Sequence, residues 1–471
     1  MAIAKTNPIP PLDPTATEPY YRQIYDRVRG AITSGLLKPG DRIPSVRALT
    51  RELGLARGTI ENAYSLLTAE GYLQPRGQAG TIVTPGLKLS LPVASTRQPA
   101  DISASSFRPD SILPFQMGLP ALDAFPRKIW ARLGARCVRA MQPPDMVHPP
   151  VYGLPSLRTE IAAYLQVSRG INCSPAQIFV TSGYRHTIEL IVHALLKAGD
   201  RVWLEDPGYP PTRELLAHMQ IAAVPVPVDG DGLLVSEALK LAPRARAAVV
   251  TPAHQSPLCV SLSLPRRLTL LDWAARNKAW IIEDDYDGEY RYVSRPLPAL
   301  KSLDRDGRVL YSGTFSKVLF PSIRLAYLVV PESQVERFEQ ISQAFTGGSP
   351  ELTQAIVSTF ISEGHFARHI QRMRKLYAER RAATSAGLQS VLGKHVRIDA
   401  QPGGMHLILR LKGKRSDRRL VAKMREEGLH AEALADWSMA RNGASALLLN
   451  FTNIDSQATA ERYAKRILKL L

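Results

Sequence analysis

At 471 residues the chain is too long for one ordinary hydrophobic core, and two to four domains are expected. Apolar residues make up 45% and charged residues 22%, the balance of a soluble globular protein, and no run of about 18 apolar residues offers a membrane span. The formal net charge of +18 points to a polyanion partner, and three scattered cysteines, Cys137, Cys173 and Cys259, argue for a reducing, cytoplasmic compartment and against a disulfide frame or metal cluster.

Residues 1–16 lack an apolar signal core and read as a mobile tail. Tyr21, Ile24, Tyr25, Val28 and Ile32 then recur at helical spacing up to Gly35. Pro39 and Gly40 force a turn, Ser45 can cap a helix over Val46–Leu53, and Gly54 breaks it. A third helix is expected from about Thr59 to Glu70, with Ile60, Ala63, Tyr64 and Leu67 inward and Gly71 as its stop. Tyr72-Leu73, a turn at Arg76-Gly77 and Thr81-Ile82-Val83 suggest a hairpin. Helix, helix-turn-helix and hairpin over 17–85 make a winged helix-turn-helix.

In such a module the second helix of the pair enters the major groove, and its first turn meets base edges. Arg57 and Thr59 fall there. Arg47, near the start of the preceding helix, can reach phosphate or a guanine edge, and Arg76 and Gly77 at the hairpin tip would approach the minor groove. The segment is similar to the GntR family of bacterial regulators in Pro19-Tyr-Tyr-Arg-Gln-Ile, Gly35–Arg47, Arg57-Gly-Thr-Ile and Glu70-Gly-Tyr-Leu. The resemblance implies operator reading by Arg47, Arg57, Thr59, Arg76 and Gly77; a polar position of the family falls on Glu61.

Residues 86–113 lose periodicity, carry Pro, Ser and Thr, and read as a linker. Over 114–471 apolar strand-like runs alternate with helical patterns: Ile178–Val180, Val202–Leu204, Ala247–Val250, Trp280–Ile282 and Leu325–Val330. That alternation predicts an α/β domain with a mostly parallel sheet at about 140–345. A small α+β part is expected from about 114–139 and 346–471, with strands at Met405–Leu411 and Leu447–Phe451.

Lys317 lies in Tyr311-Ser-Gly-Thr-Phe-Ser-Lys-Val-Leu-Phe-Pro-Ser-Ile-Arg324, just past the strand-like Val309–Tyr311. A lysine flanked by Thr314 and Ser316, with Arg324 close behind, can hold an aldehyde as an imine and a phosphate as a dianion. Trp280–Asp287 ends a buried strand in acidic residues, so that Ile282, Asp284 and Tyr286 share a face. In pyridoxal 5'-phosphate such a carboxylate would keep the ring nitrogen protonated and such a phenol would donate to the ring oxygen. Asp284 precedes Lys317 by one expected helical excursion between neighbouring strands. Ile178–Gly183 followed by Tyr184 and Arg185 reads as strand, glycine turn and helix start, an anion site for the phosphate. Tyr209 in Glu205-Asp-Pro-Gly-Tyr could stack on the ring, and Tyr152 before Gly153 could reach a neighbouring subunit's phosphate.

Residues 115–471 resemble the fold-type I aminotransferase fold in Phe125-Pro-Arg-Lys-Ile-Trp, Glu205–Tyr209, Thr251-Pro-Ala-His-Gln, Glu283-Asp-Asp-Tyr-Asp-Gly-Glu-Tyr and Gly313–Lys317. The whole chain resembles the MocR/GabR-type regulators, which fuse a GntR-like module to such a domain. The resemblance implies a Schiff base at Lys317, the pyridinium partner at Asp284, the phenol at Tyr286, and phosphate contacts from Thr314, Ser316 and Arg324. It also implies a ring-oxygen contact from His254 or Gln255, and a homodimer joined head to tail. The chain departs from the family at Pro257-Leu-Cys259, where Pro-Thr-Gly is usual. Leu447-Leu-Leu-Asn-Phe451 lacks the arginine that aminotransferases use for a substrate carboxylate, leaving Arg213 and Arg441 as substitutes. The expected function is a cytoplasmic bacterial transcription factor controlled by pyridoxal 5'-phosphate, or by an amine or amino acid reacting there. The alternative is an active aminotransferase with an appended DNA-binding module.

Overall fold

The computed structural model describes residues 12–14, 16–87, 112–292, 298–345, 348–399, 403–440 and 445–471. Most of the expected tail, most of the expected linker, and Arg441 lie outside them. Two units divide the chain, Met1–Pro109 and Asp110–Leu471.

In the first unit the apolar stripe forms α1 (Tyr20–Thr33), burying Ile24, Tyr25, Val28 and Ile32. The Ser45 hydroxyl accepts from Ala48 N–H at 3.2 Å and starts α2 (Val46–Leu53), which Gly54 ends in the left-handed region. Helix α3 (Arg57–Ala69) begins two residues before the expected Thr59, so Arg57 and Thr59 share its first turn. Strands β1 (Leu73–Pro75) and β2 (Thr81–Val83) pair antiparallel. Their connection holds a 3-10 helical turn, Gly77–Ala79, so the hairpin tip is longer than Arg76-Gly77 alone. Ile24, Val28, Leu49, Ile60, Leu67 and Val83 share one core, and Tyr64 Oη donates to Pro44 O at 2.9 Å, pinning the turn before α2.

The second unit opens with α4 (Arg127–Ala140) and α5 (Pro155–Arg169). There follow β3 (Ile178–Thr181), α6 (Tyr184–Leu195), β4 (Arg201–Asp206), α7 (Pro210–His218), β5 (Ala222–Asp229), β6 (Gly232–Leu233) and α8 (Val235–Leu241). Next come β7 (Ala247–Val250), α9 (Leu264–Asn277), β8 (Trp280–Asp285), β9 (Val309–Thr314) and β10 (Ala326–Val329). These strands form one sheet in the order β3-β10-β9-β8-β7-β4-β5-β6. Burial on both faces explains why β3, β7 and β10 read as unbroken apolar runs. Strands β9, β8, β7, β4 and β5 are parallel neighbours. Strand β10 runs antiparallel to both β3 and β9, so β3 points the same way as β9. The carboxyl ends of β3, β4, β7, β8 and β9, and the start of β10, therefore share one edge. In α/β sheets that edge is where ligands bind. Between β8 and β9 the described residues form only the 3-10 turn Leu300–Leu303, not the helical excursion expected from spacing.

The chain continues through α10 (Val335–Phe345), α11 (Glu351–Ser362), α12 (His365–Leu392), β11 (Val396–Ile398), β12 (His406–Leu411) and α13 (Asp417–Glu426). It ends with β13 (Glu432–Ala433), α14 (Leu434–Trp437), β14 (Ala446–Asn450) and α15 (Gln457–Leu470). A second, antiparallel sheet has the order β11-β12-β14-β13 and a core of its own around Tyr377, Leu407, Leu449 and Phe451. Leu133 of α4 and Val357 and Phe360 of α11 bury with Ile178, Tyr311 and Tyr327 of the large sheet. Those two helices thus cover the large sheet, whereas the sequence groups them with the small part. Their apolar stripes do not reveal which sheet they face. No helix among the described residues is long and apolar enough to cross a membrane.

Candidate cofactor and DNA-reading sites

Each loop at the shared edge contributes a polar group. After β3, Gly183 adopts φ 105°, a conformation L side chains rarely take, and starts α6. The Arg324 guanidinium lies over this turn: a Cβ on Gly183 would meet its Cζ at 3.6 Å. Arg324 itself is left-handed, at φ 50°, just before β10. A helix start with free N–H groups beside a guanidinium is an anion site. Of the first-turn residues, Tyr184 bonds its hydroxyl to Thr212 Oγ1 at 2.7 Å, and Arg185 is exposed.

After β9, Ser316 N–H donates to Thr314 Oγ1 at 3.1 Å, tightening the loop that carries Lys317. Lys317 Nζ donates to Gly118 O at 2.9 Å. Burial lowers its pKa, while Asp287, Glu432 and Asp284 act in the opposite direction. Gly118 takes φ 78°, a conformation that favours glycine, and a Cβ there would stand 2.8 Å from Lys317 Nζ and push the lysine end aside.

At the end of β8, Asp284 lines a cleft with Tyr184, Tyr209, Arg213, Thr251 and Trp437. No hydrogen bond reaches its carboxyl among the described residues. Burial, then the charges of Asp285, Glu205 and Asp287, push its pKa well above the usual carboxylate range. Tyr209 packs edge-on to Tyr184, with ring centroids 5.8 Å apart, and tilted against Trp437 at 5.7 Å. Tyr286 is brought to His254, its Oη 3.1 Å from Nδ1, and burial keeps its proton firmly on the phenol. Burial works against charge on His254, yet Asp287 Oδ1 at 3.0 Å from Nδ1 holds its pKa well above the ordinary value.

Gln255 is placed differently. Its amide donates to Glu205 Oε2, Pro207 O and Ser256 O, and its Oε1 accepts from Leu258 N–H, so it braces the loop after β7. Tyr152 also stands apart from the cleft lining: its backbone carbonyl accepts from Val180 N–H at 2.9 Å and its hydroxyl accepts from Gln343 Nε2.

Beneath the edge, Arg169 of α5 bonds Asp285 Oδ2 at 2.5 Å and lies 2.9 Å from Glu289 Oε1. Tyr311 Oη donates to Asp285 at 2.6 Å and Tyr164 Oη to Glu289 at 2.7 Å. This buried network fixes the residue next to Asp284. An arginine on a helix more than 100 residues upstream carries no sequence signal for such a role. Glu432 and Trp437, which line the cleft and its mouth, were also missed.

Taken together, the edge offers a carboxyl without a donor, a protonated phenol, a half-buried amine and an anion cradle. That set suits a ring with a protonatable nitrogen, a phenolic oxygen, an aldehyde and a phosphate. Among the described residues no cluster of His, Cys, Asp and Glu suits a metal.

In the first unit Arg47, Arg57, Arg76 and Gly77 are exposed and Thr59 is half-buried. Arg57 Nε bonds Glu61 Oε1 at 2.7 Å one turn along α3. Arg42 bridges to Ile82 and lies against the wing: a Cβ on Gly80 would meet its Nε at 3.1 Å.

Residues 20–83 match the bacterial regulatory proteins of the gntR family, and residues 121–437 match aminotransferase class I and II. Over 468 residues, 96% of this chain and 93% of the relative, it is 36% identical to the probable rhizopine catabolism regulatory protein MocR of Rhizobium meliloti. It is 34% identical to the pyridoxine biosynthesis transcriptional regulator PdxR of Corynebacterium glutamicum, covering 88% of each. Among solved structures it is similar to the α-aminoadipate aminotransferase LysN of Thermus thermophilus, complexed with N-(5'-phosphopyridoxyl)-L-leucine. That match has 26% identity and a TM-score of 0.68, over 76% of this chain and 94% of that one. The chain therefore belongs to the MocR/GabR-type transcriptional regulators, in which a gntR-family winged helix-turn-helix is joined to a fold-type I aminotransferase domain for pyridoxal 5'-phosphate.

Proposed function

We propose that this regulator binds operator DNA through Arg47, Arg57, Thr59, Arg76 and Gly77, and that a ligand at the edge around Lys317 controls that binding. Bound there, the cofactor supplies an aldehyde that captures primary amines. In this reading Asp284 pairs with the ring nitrogen, because its buried carboxyl otherwise lacks a donor. Tyr286 donates to the ring oxygen, with His254 behind it. Arg324, the Gly183 turn with Tyr184 and Arg185, Thr314 and Ser316 hold the phosphate. Tyr209 covers the ring, Gln255 keeps the loop in place, and Tyr152 serves the partner subunit of a head-to-tail homodimer. Burial favours the neutral form of Lys317, the form that can react. The domains divide as 17–85, a linker over 86–113, and 114–471. The protein works in the bacterial cytoplasm, on the nucleoid.

The observation that carries the reading is that one chain combines exposed arginines on a gntR-family module with, at the sheet edge of the other unit, a half-buried Lys317 and a buried Asp284 whose carboxyl lacks a hydrogen-bond donor. Control of DNA by the ligand requires that the ligand bind the two DNA-affinity states unequally. The test is an electrophoretic shift on the chain's own upstream region, with and without pyridoxal 5'-phosphate and candidate amines. The wild type should respond and Lys317→Ala should not; an unchanged response in the variant would overturn the reading. Asp284→Asn should weaken cofactor binding by about 1.5–3 kcal/mol, the worth of a charge-assisted hydrogen bond, measured by fluorescence titration. The likeness to solved aminotransferases supports a second reading, turnover. Steady-state keto acid formation from an amino donor, lost in Lys317→Ala, would establish it.

A further inference from the structure

At the end of α14 a short run of chain, Trp437–Ala440, crosses from the small sheet to the end of β4. Trp437 buries with Ile408, Leu434 and Leu448 of the small part. Met439, two residues on, packs against the large-sheet core that holds Leu204 and Leu216. Asp206, the last residue of β4, receives the crossing. Its Oδ1 accepts from Met439 N–H at 2.7 Å and its Oδ2 from Ala440 N–H at 3.1 Å, a donor shared with Ser438 Oγ. Gly208 N–H adds a bond to Trp437 O at 3.0 Å. Among the described residues the half-buried Asp206 carboxylate accepts no other hydrogen bond and pairs with no cation. A carboxylate that accepts two backbone N–H groups forms charge-assisted bonds, stronger than neutral ones.

Trp437 and Met439 line both the cleft beside Asp284 and the space outside it. The crossing is therefore a wall between the two, and the Trp437 ring lies against Tyr209 inside the cleft, centroids 5.7 Å apart. A wall of four residues held by three backbone N–H groups can let go without unfolding either sheet. We propose, resting on the reading above, that Trp437–Ala440 is a strap that swings clear to let a ligand reach Asp284, and that Asp206 is the positioning residue that holds it shut. The strap closes alike over the empty and the filled cleft. Asp206 then sets how fast a ligand enters and leaves, and has little effect on how tightly it is held.

Two measurements on the full-length protein test this. One is amide hydrogen exchange of the cofactor-free protein, read on peptides that cover 437–440. The other is the rate of pyridoxal 5'-phosphate uptake on rapid mixing, and of its release on dilution, followed by the cofactor's absorbance. Asp206→Ala should speed strap exchange, uptake and release by at least about tenfold, the effect of losing one charge-assisted hydrogen bond, and change the dissociation constant by less than about threefold. Asp206→Asn, which keeps one acceptor oxygen, should fall between wild type and Asp206→Ala, and it carries the test if the alanine variant does not fold. Unchanged strap exchange, or uptake and release at wild-type rates, overturns the proposal. Faster release with unchanged uptake overturns it too, because Asp206 would then hold the bound state alone. The absorbance separates the two failures: a protein that never takes up cofactor sinks the wider reading, and one that takes it up equally fast with and without Asp206 sinks only this one.

Discussion

In the winged unit Arg47, Arg57 and Arg76 stand exposed on two helices and a hairpin, whereas at the sheet edge Glu205, Asp284, Asp285 and Tyr286 are buried or nearly so. The exposed arginines keep most of their hydration, so removing one leaves no buried charge behind. The buried groups have lost most of their water, and each depends on a partner within the protein or on a ligand. The contrast teaches that one substitution in each unit is not the same experiment. Removing a surface arginine subtracts a contact, while removing a buried partner strands a charge.

The largest effect is expected at Arg169. Arg169→Met leaves Asp285 and Glu289 buried without their cation and should cost about 3–5 kcal/mol of stability. All five tryptophans, Trp130, Trp203, Trp273, Trp280 and Trp437, lie in the second unit, so their fluorescence during urea unfolding reports that unit alone. A loss below about 1 kcal/mol would put Arg169 in the class of surface pairs and erase the contrast.

Glu205 should come next. Burial pushes its pKa up to about 7, against the hydrogen bonds from Thr251 and Gln255. A carboxyl raised above its unfolded value of 4.5 stabilises the fold fully below that pH, and the contribution is lost as pH rises through about 7. Within that window the group lowers stability by about 1.4 kcal/mol per pH unit. Glu205→Gln should remove that slope. Glu283, also pushed to about 7, keeps its own in the variant. Identical slopes in wild type and variant, from unfolding at a series of pH values, would show that Glu205 is ionised in the fold.

How much of this was legible in the sequence follows the same division. The winged unit was readable almost to the residue, because caps and breakers are local: Ser45, Gly54 and Gly71 act on the backbone beside them. The sheet-edge motifs were readable because each side chain follows its own strand. What escaped was long-range. The antiparallel β10 inserted between β3 and β9, the helices α4 and α11 on the large sheet, Arg169 under Asp285, and Glu432 near Lys317 all depend on pairings across many residues. An apolar stripe announces that a helix packs, but not against what.

The smallest effects bear on the exposed side of the contrast. Arg57→Ala should weaken operator binding by about 1–3 kcal/mol and relax sequence preference, read by quantitative shifts on native and scrambled sites. Arg57, however, starts out bonded to Glu61, whose carboxylate lies one helical turn along α3. For the guanidinium to meet DNA, that exposed pair must open, at a cost of up to about 0.5 kcal/mol, and the Glu61 carboxylate would oppose an approaching polyanion. Glu61→Gln should therefore tighten DNA binding by a few tenths of a kcal/mol and leave base preference unchanged. If binding instead weakens, Glu61 is orienting Arg57 rather than competing for it. The exposed unit would then also contain a charge that depends on its partner.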